Sequence, residues 1–519
     1  MSNLSSSGHT VPWETKEVRH GRLLEQVDSD GFVEGLIGDF GNRGPALLID
    51  NEWVAAESGE TAPTFDPSTG ATIGEYAIAS AEDVDRAVRA AQAAQVGWAA
   101  LTMDERAQYI ARLADKIEAN SALLATADAV NAGLPVARML NDIDQLTRVL
   151  RAWPGMALSL RGEVLEGIPG LHYTRYLPYG VVARIVAFNH PILFAVKGSL
   201  AALLAGNTVV LKPADQTPLS ALILGDIVRE VFPPGVFSVV TGDGRTGASL
   251  VTHPSVRRVA FTGSVRTGRL IQETAAKDRV RNVSLELGGK NAMIVFPDVS
   301  VRDAARNAVF GMNLWANGGQ SCGSTSRLLV HEDIQKEFVE ELAGLLESAR
   351  LGAAYRTDVD MGPVISEPAA ARIREFIQSG VDDGANLVTG GLDDARIPDK
   401  GHFIAPTLFA DVPTEARIAR EEIFGPVISL RTWNDLDSVI AEANSVELGL
   451  TASVWTNDIS TALTTADRLE SGYVWVNEST THYFGMPFGG WKDSGLGREE
   501  CFEELESFLQ LKSINVKLP

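Results

Sequence analysis

The sequence predicts an α/β protein whose parallel sheets are covered by helices on both faces. Three observations predict it. Short apolar, β-rich runs alternate with amphipathic helical stretches twice, over residues 178–286 and again over 287–490. At 519 residues the chain has room for two or three domains and a large core that needs no disulfide or metal to hold it. Its 45% hydrophobic and 22% charged residues are ordinary for a soluble globular protein.

The elements follow in order. Residues 1–44 are mixed and polar without sustained periodicity, and are read as an N-terminal extension of undetermined structure. Ser80 with Asp83 makes a capping box, and Val84, Ala87, Val88, Ala91 and Trp98 share the helical face behind it. Thr102 with Glu105 opens a second helix with Ile110, Leu113 and Ile117 on one face. After Pro178 and Gly180, residues 181–188 form a β-rich run ending in the turn Asn189-His190-Pro191. An apolar helix follows, then a strand over 208–211 and a helix carrying Leu219, Leu222, Ile223 and Ile227. Strands are expected at 237–241 and 258–261, and in the second region at 292–296, 327–330 and 473–476. Residues 158–177 differ in texture, and the tail over 512–518 alternates like an edge strand; both can pair with other chains. In such sheets ligands bind beyond the carboxyl ends of the strands. The residues there are Asn189, Lys212-Pro213, Gly242 and Thr262-Gly263-Ser264.

Composition narrows the function. Sixty-seven acidic against 45 basic residues give a net charge of −22, which disfavours nucleic acid and anionic membranes as partners. The N-terminus lacks the apolar core of a signal peptide, and the most apolar stretch, 192–211, is broken by Lys197, Gly198, Gly206 and Asn207. Two cysteines and eight dispersed histidines predict neither a disulfide framework nor a metal site, and suit a reduced cytoplasm.

The chemistry-bearing candidates are few. Cys322 in NGGQSCGS sits among small residues that let backbone approach a substrate. Glu286 in LELGGK precedes a Gly-Gly turn that leaves room for water beside a general base. The Asn189 amide can donate to an oxyanion or close an Asx-turn. Gly242, Gly244 and Gly247 mark a turn that is not a clean dinucleotide fingerprint. Each signal alone is modest, and Cys501 reads as an ordinary buried cysteine.

In their order, these blocks resemble the aldehyde dehydrogenase superfamily. The matching stretches are PYGVVARIVAFNHP, LLAGNTVVLKPADQTP, FTGSVRTG, VSLELGGKNA, NGGQSCGSTSR, EEIFGPV and PFGGWKDSGLGRE, over nearly the whole chain. The resemblance implies a Rossmann-type cofactor domain (45–157 and 178–286), an α/β catalytic domain (287–490) and a small β arm for oligomerisation (158–177 and 491–519). It implies a homodimer or homotetramer. It further implies attack by Cys322 on an aldehyde, an oxyanion held by Asn189 and the Cys322 N–H, and hydrolysis of a thioester by water that Glu286 activates. Lys212 and Asp215 would contact the adenosine ribose and Ser264 the pyrophosphate, with Gly247 and Gly263 in the same turns. Glu422 and Phe424 would hold the nicotinamide ribose and ring, with Phe188 nearby. CoA-acylating relatives typically lack the glutamate, and non-catalytic members tend to lose nucleophile or base; here all three residues are present.

Three departures from the family pattern matter. Asp215 stands where NAD-preferring members usually have Glu, which predicts NAD preferred and NADP tolerated. Many members carry Lys nine residues after the oxyanion Asn; here that residue is Gly198, with Lys197 one place earlier. Lys197 either binds an anionic substrate or replaces the usual lysine after a small helix shift. Ala316, six residues before Cys322, replaces an often bulky residue and should widen the tunnel. By spacing, His190, Phe194, Trp315, Thr480, His482 and Phe488 also line it, a wall suited to a medium-sized or aromatic aldehyde, while an anion-binding Lys197 would suit a semialdehyde.

Overall fold

The computed structural model describes residues 15–518. An eight-stranded sheet runs in the order Glu52–Val54, Leu47–Ile49, Phe237–Val239, Thr208–Lys212, Val181–Ile185, Val256–Thr262, Asn282–Glu286 and Gly495–Leu496. Its five strands from Phe237–Val239 to Asn282–Glu286 are parallel, and both edges are antiparallel. Successive side chains on a strand face opposite ways, and two apolar clusters divide accordingly. Val182, Val209 and Leu211 join one, and Val181, Ala183, Ile185 and Val210 the other. Such two-sided burial is why these strands read as unbroken apolar runs.

A seven-stranded sheet follows, with Ala292–Val295 between Arg327–His331 and Thr451–Trp455, and Tyr473–Val476 at one edge. All its pairings are parallel except that of Asn386–Thr389 with Thr407–Ala410. A third sheet joins Val164–Leu165, Leu171–Pro178 and Leu509–Val516, all antiparallel. The odd-textured segment and the alternating tail thus pair with each other within one chain, from Leu509 opposite Pro178 to Val516 opposite Leu171. Part of 491–519 lies elsewhere: Gly495–Leu496 closes the edge of the first sheet.

Both predicted capping boxes form, and the helices Ala81–Ala100 and Met103–Ala119 bury the faces read from their sequences. The N-terminal extension is more ordered than its sequence suggested. Its described part forms helices Lys16–Val27 and Phe32–Arg43. Each buries only two apolar residues, Leu23 and Val27 in the first and Leu36 and Phe40 in the second, and Gly35, Gly38 and Gly41 weaken the second helix's propensity. Tertiary contacts supply the rest. Arg19 and His20 reach Asp144 on the helix Val136–Ala157. The Phe40 ring lies where a Cβ on Gly74 would come within 2.7 Å of it.

Candidate active site

Parallel strands deliver the residues that follow them to one edge of a sheet, and the candidate residues gather at such edges. Cys322 lies in a loop before the strand Arg327–His331. Gly318 and Gly319 enter that loop with φ of +61° and +73°, which glycine adopts without strain. Asn291 fastens it. The Asn291 amide donates to the Cys322 carbonyl at 2.7 Å and the Ser324 carbonyl at 2.9 Å, and its oxygen accepts from the Thr451 N–H at 3.0 Å. The half-buried thiol packs against Leu450, Tyr473, Trp475 and Phe488. Burial pushes the thiol up to about 12, with the charges of Glu422 and Glu286 adding to it; the N–H groups of Gly323 and Cys322 act the other way.

Glu286 ends its strand between Thr262 and Gly495. It is 5% exposed, and neither carboxylate oxygen has a partner among the described residues. Burial holds its pKa well above the usual carboxylate range and Glu499 raises it further, while Arg498 and Arg184 pull it down. Arg184 projects from the strand Val181–Ile185 over Gly198, where a Cβ would stand 2.1 Å from its Nη2. It donates to Glu499 Oε1 at 2.9 Å and to Thr262 Oγ1 at 3.2 Å. The expectation that Lys197 takes the place of a lysine at Gly198 is therefore corrected. Arg184 fills that space from the neighbouring strand. Lys197 bonds a different carboxylate, Glu500, which also accepts from His482 Nδ1 at 2.8 Å.

Asn189 is buried at the end of the Val181–Ile185 segment, just before the helix Pro191–Leu204. His190 joins this turn to the Cys322 loop. Its Nδ1 bonds Asp142 at 2.6 Å, and its Nε2 lies 3.2 Å from the Asn317 amide nitrogen. Burial opposes protonation of His190, but Asp142 outweighs it and raises the pKa. The Asn317 oxygen is buried without a partner among the described residues; with its amide turned over it accepts from a protonated His190.

The candidate cofactor residues follow strands of the first sheet, except Glu422 and Phe424, which precede Val427–Trp433 of the second. Lys212 is buried, donates to the Pro213 carbonyl at 3.0 Å, and has its pKa lowered by burial against the pull of Asp215 and Asp243. Asp215 is exposed beside it. A Cβ on Gly247 would sit 3.7 Å from the Lys212 chain. Gly263 donates to the Glu286 carbonyl at 3.0 Å, and Ser264 caps the helix Val265–Ala276. Glu422 accepts from the Gly289 N–H at 2.9 Å, and burial raises its pKa. A Cβ on Gly288 would stand 2.2 Å from Glu422, and one on Gly289 2.3 Å from the Cys322 carbonyl. The two glycines thus admit the carboxylate and the cysteine loop from either side. Phe424, at φ +59°, meets Phe188 edge to face at 5.7 Å. Capped helix ends, a buried lysine, an exposed Asp and a carboxylate seated on bare backbone fit a dinucleotide.

Among the expected wall residues, Lys197 and His482 line a cavity of about 280 Å³. Phe488 lies 4.5 Å from the His482 ring and packs on Cys322. Phe194 meets His190 edge to face at 5.4 Å. Trp315 and Ala316 belong to the short helix Leu314–Asn317, and Trp315 leans on the second sheet's core. Thr480 takes φ +64° in the loop after Tyr473–Val476. None of these last five borders the cavity itself. Asn291, Arg184, Glu499 and Glu500 were not singled out from the sequence. Three of the four are charged residues buried or nearly so, and charge at such depth shows only once the fold is known.

Comparison with known proteins agrees with this geometry. The model of the aldehyde dehydrogenase family matches residues 53–514. The chain belongs to the aldehyde dehydrogenase family. A relative named aldehyde dehydrogenase tropH, from Talaromyces stipitatus, is 43% identical, covering 91% of this chain and 93% of that one. Hydroxyisobutyraldehyde dehydrogenase of Mycolicibacterium austroafricanum is 41% identical over 91% of this chain and 94% of its own. The solved structure of an aldehyde dehydrogenase from Bacillus cereus in complex with NAD+ superposes with a TM-score of 0.90 at 36% identity, covering 93% of this chain and 98% of that one. This aldehyde dehydrogenase is an oxidoreductase that acts on aldehydes, and its neighbours support a nicotinamide cofactor. Among its described residues no helix is long and apolar enough to cross a membrane.

Proposed function

We propose that the enzyme oxidises an aldehyde to a carboxylic acid through a covalent intermediate on Cys322, with Glu286 as the base. The observation that carries this is a deeply buried carboxylate with no partner among the described residues, close enough to the half-buried cysteine to raise its pKa. A carboxylate left unpaired in a protein interior is costly, and a raised pKa makes it a stronger base than an ordinary carboxylate.

The Cys322 thiol gives its proton to a water molecule, and the resulting thiolate adds to the carbonyl carbon, giving a thiohemiacetal. The Asn189 amide and the Cys322 N–H stabilise the new oxyanion; losing one such donor typically costs about 10²–10³ in rate. When bound, the oxidised nicotinamide supplies the acceptor for the carbon-bound hydrogen and its electron pair. Cys322 is left as a thioester. Glu286 takes a proton from water as the oxygen attacks the acyl carbon, the C–S bond breaks, and the sulfur leaves as thiolate. Glu422, Phe424 and Phe188 would hold the nicotinamide end, with Gly247, Gly263 and Ser264 at the pyrophosphate. Lys212 and Asp215 would hold the adenosine ribose, the carboxylate favouring NAD over NADP while NADP is tolerated.

We also read the enzyme as a cytoplasmic homodimer or homotetramer. Val164 and Leu171 stand exposed on one side of the three-stranded sheet, and Leu165 and Leu511 on the other, apolar positions suited to a second copy.

The test is Glu286→Gln. The variant should release one equivalent of NADH per active site in a burst and then turn over about 10²–10⁴-fold more slowly. A thioester should accumulate on Cys322, detectable as an acyl mass shift absent from Cys322→Ser. Steady turnover at the wild-type rate would remove Glu286 from the mechanism.

A further inference from the structure

The cavity of about 280 Å³ has an uneven distribution of charge. One wall is the helix Val136–Ala157, which contributes Gln145, Arg148, Val149 and Ala152. Their spacing of three, four and seven residues puts them on one helical face. Facing them are Lys197, His482, Phe484 and Glu500. Lys197 and Glu500 are joined and buried, so their charges cancel. Glu500, which is held well below the usual carboxylate range by Lys197 and His482 against the effect of burial, stays ionised. Arg148 is different. It is exposed, and makes no hydrogen bond or ion pair with any described residue. Arg151, on the same helix, is tied to Asp115 and Glu118. In a chain of net charge −22, this cavity holds one uncompensated guanidinium with the Gln145 amide one turn away.

Aromatic rings connect the cavity to the cysteine. His482 borders the cavity, lies against Phe488 and stacks on Tyr473 at 5.9 Å, and both of these rings pack with Cys322. Lys197 lies six residues beyond Pro191, where the helix begins after Asn189, and this corresponds to roughly 9 Å along the axis. The cavity that Lys197 borders is therefore set back by about that distance from the Asn189 end of the helix.

We propose that the enzyme's substrate is an aldehyde bearing a carboxylate at its far end, bound by Arg148 with Gln145 in this cavity. The inference rests on Cys322 being the nucleophile. A guanidinium receives a carboxylate through two parallel N–H donors. The apolar Val149, Ala152 and Phe484 accommodate the ring or chain between the two ends. Lys197 supports Glu500 and does not itself meet the anion.

The test compares 4-formylbenzoate with 4-formylbenzamide, which has nearly the same shape without the charge. NADH formation is followed in wild type, Arg148→Ala and Arg148→Lys. Wild type should favour the carboxylate by tenfold or more in kcat/KM. Arg148→Ala should lose about 10- to 100-fold more toward the carboxylate than toward the amide, mainly in KM, and Arg148→Lys should recover part of it. Equal use of the two aldehydes by wild type, or equal losses in the variant, would overturn the proposal. Calorimetric binding of 4-formylbenzoate to Cys322→Ser protein, with and without Arg148→Ala, separates this from failure of the reaction scheme. A tenfold weaker Kd supports the carboxylate site even where turnover is absent; an unchanged Kd refutes it even where turnover is rapid.

Discussion

Replacing Arg184 by Met should slow hydrolysis of the acyl-enzyme by changing the charge around Glu286, without touching substrate or cofactor. Arg184 is 2% exposed and pairs with Glu499, itself 14% exposed. Removing one partner of such a pair costs about 3–5 kcal/mol of stability, because it leaves the other charge buried alone. The effect on the base follows from the signs. Glu499 raises the pKa of Glu286 and Arg184 lowers it. Between buried groups the effective dielectric is about 20 rather than 80, so the loss of one neighbouring charge is felt several times more strongly than in water. Loss of Arg184 therefore moves the pKa of Glu286 upward, and the ionised base becomes scarcer at any fixed pH below it. Acyl-enzyme decay, followed by rapid quench, should be about tenfold slower near neutrality and approach the wild-type rate as pH rises. The burst of NADH should keep its amplitude, which checks that the fold and the earlier steps survive. Gly198→Ala should shift the profile the same way, since its Cβ cannot coexist with the guanidinium 2.1 Å away. Restoring a cation from the helix, in Arg184→Met with Gly198→Lys, should return the profile toward wild type. A folded Arg184→Met protein with an unmoved pH profile would refute the electrostatic argument.

Two further outcomes test the cofactor side. Gly288→Ala places a Cβ 2.2 Å from Glu422, so the carboxylate must leave the Gly289 N–H; KM for NAD should rise about tenfold, equivalent to one charge-assisted hydrogen bond, and an unchanged KM would show that Glu422 makes no contact that matters. Asp215→Ala should reduce the ratio of kcat/KM for NAD over NADP by about tenfold by removing repulsion of the extra phosphate, and a ratio that stays constant, or already favours NADP in wild type, would remove Asp215 from cofactor choice.

The parallel strands were legible because burial on both faces leaves continuous apolar runs, as at Thr208–Lys212. Cys322, Glu286 and Asn189 were legible through their small-residue or turn settings and the order of the blocks around them. Arg184 was not. In a strand, a lone arginine reads as solvent-facing, and nothing local indicates that a parallel neighbour and a glycine on the next helix have made room for it. Arg148 and Gln145 were invisible for a related reason. Periodicity identifies the helix they ride, but not which of its faces borders a cavity. The N-terminal helices escaped because contacts with Asp144 and Gly74 stabilise them, rather than a wide apolar stripe of their own.

The short strand Gly495–Leu496 has a consequence for how the protein is made. It pairs with the end of Asn282–Glu286, and Ser494 accepts from the Leu287 N–H at 2.9 Å. Glu499 meets Arg184 across 315 residues of sequence and Glu500 meets Lys197 across 303. Everything that surrounds Glu286 from that side leaves the ribosome last, just ahead of the tail that pairs with Leu171–Pro178. Contacts of such long range form late in folding. The first sheet must then wait with one edge unsealed during synthesis, exposed to wrong pairings. A chain interrupted before Gly495 would carry Cys322 and Glu286 and still lack the strand and carboxylates around them, so the proposed centre comes together only when translation is nearly done.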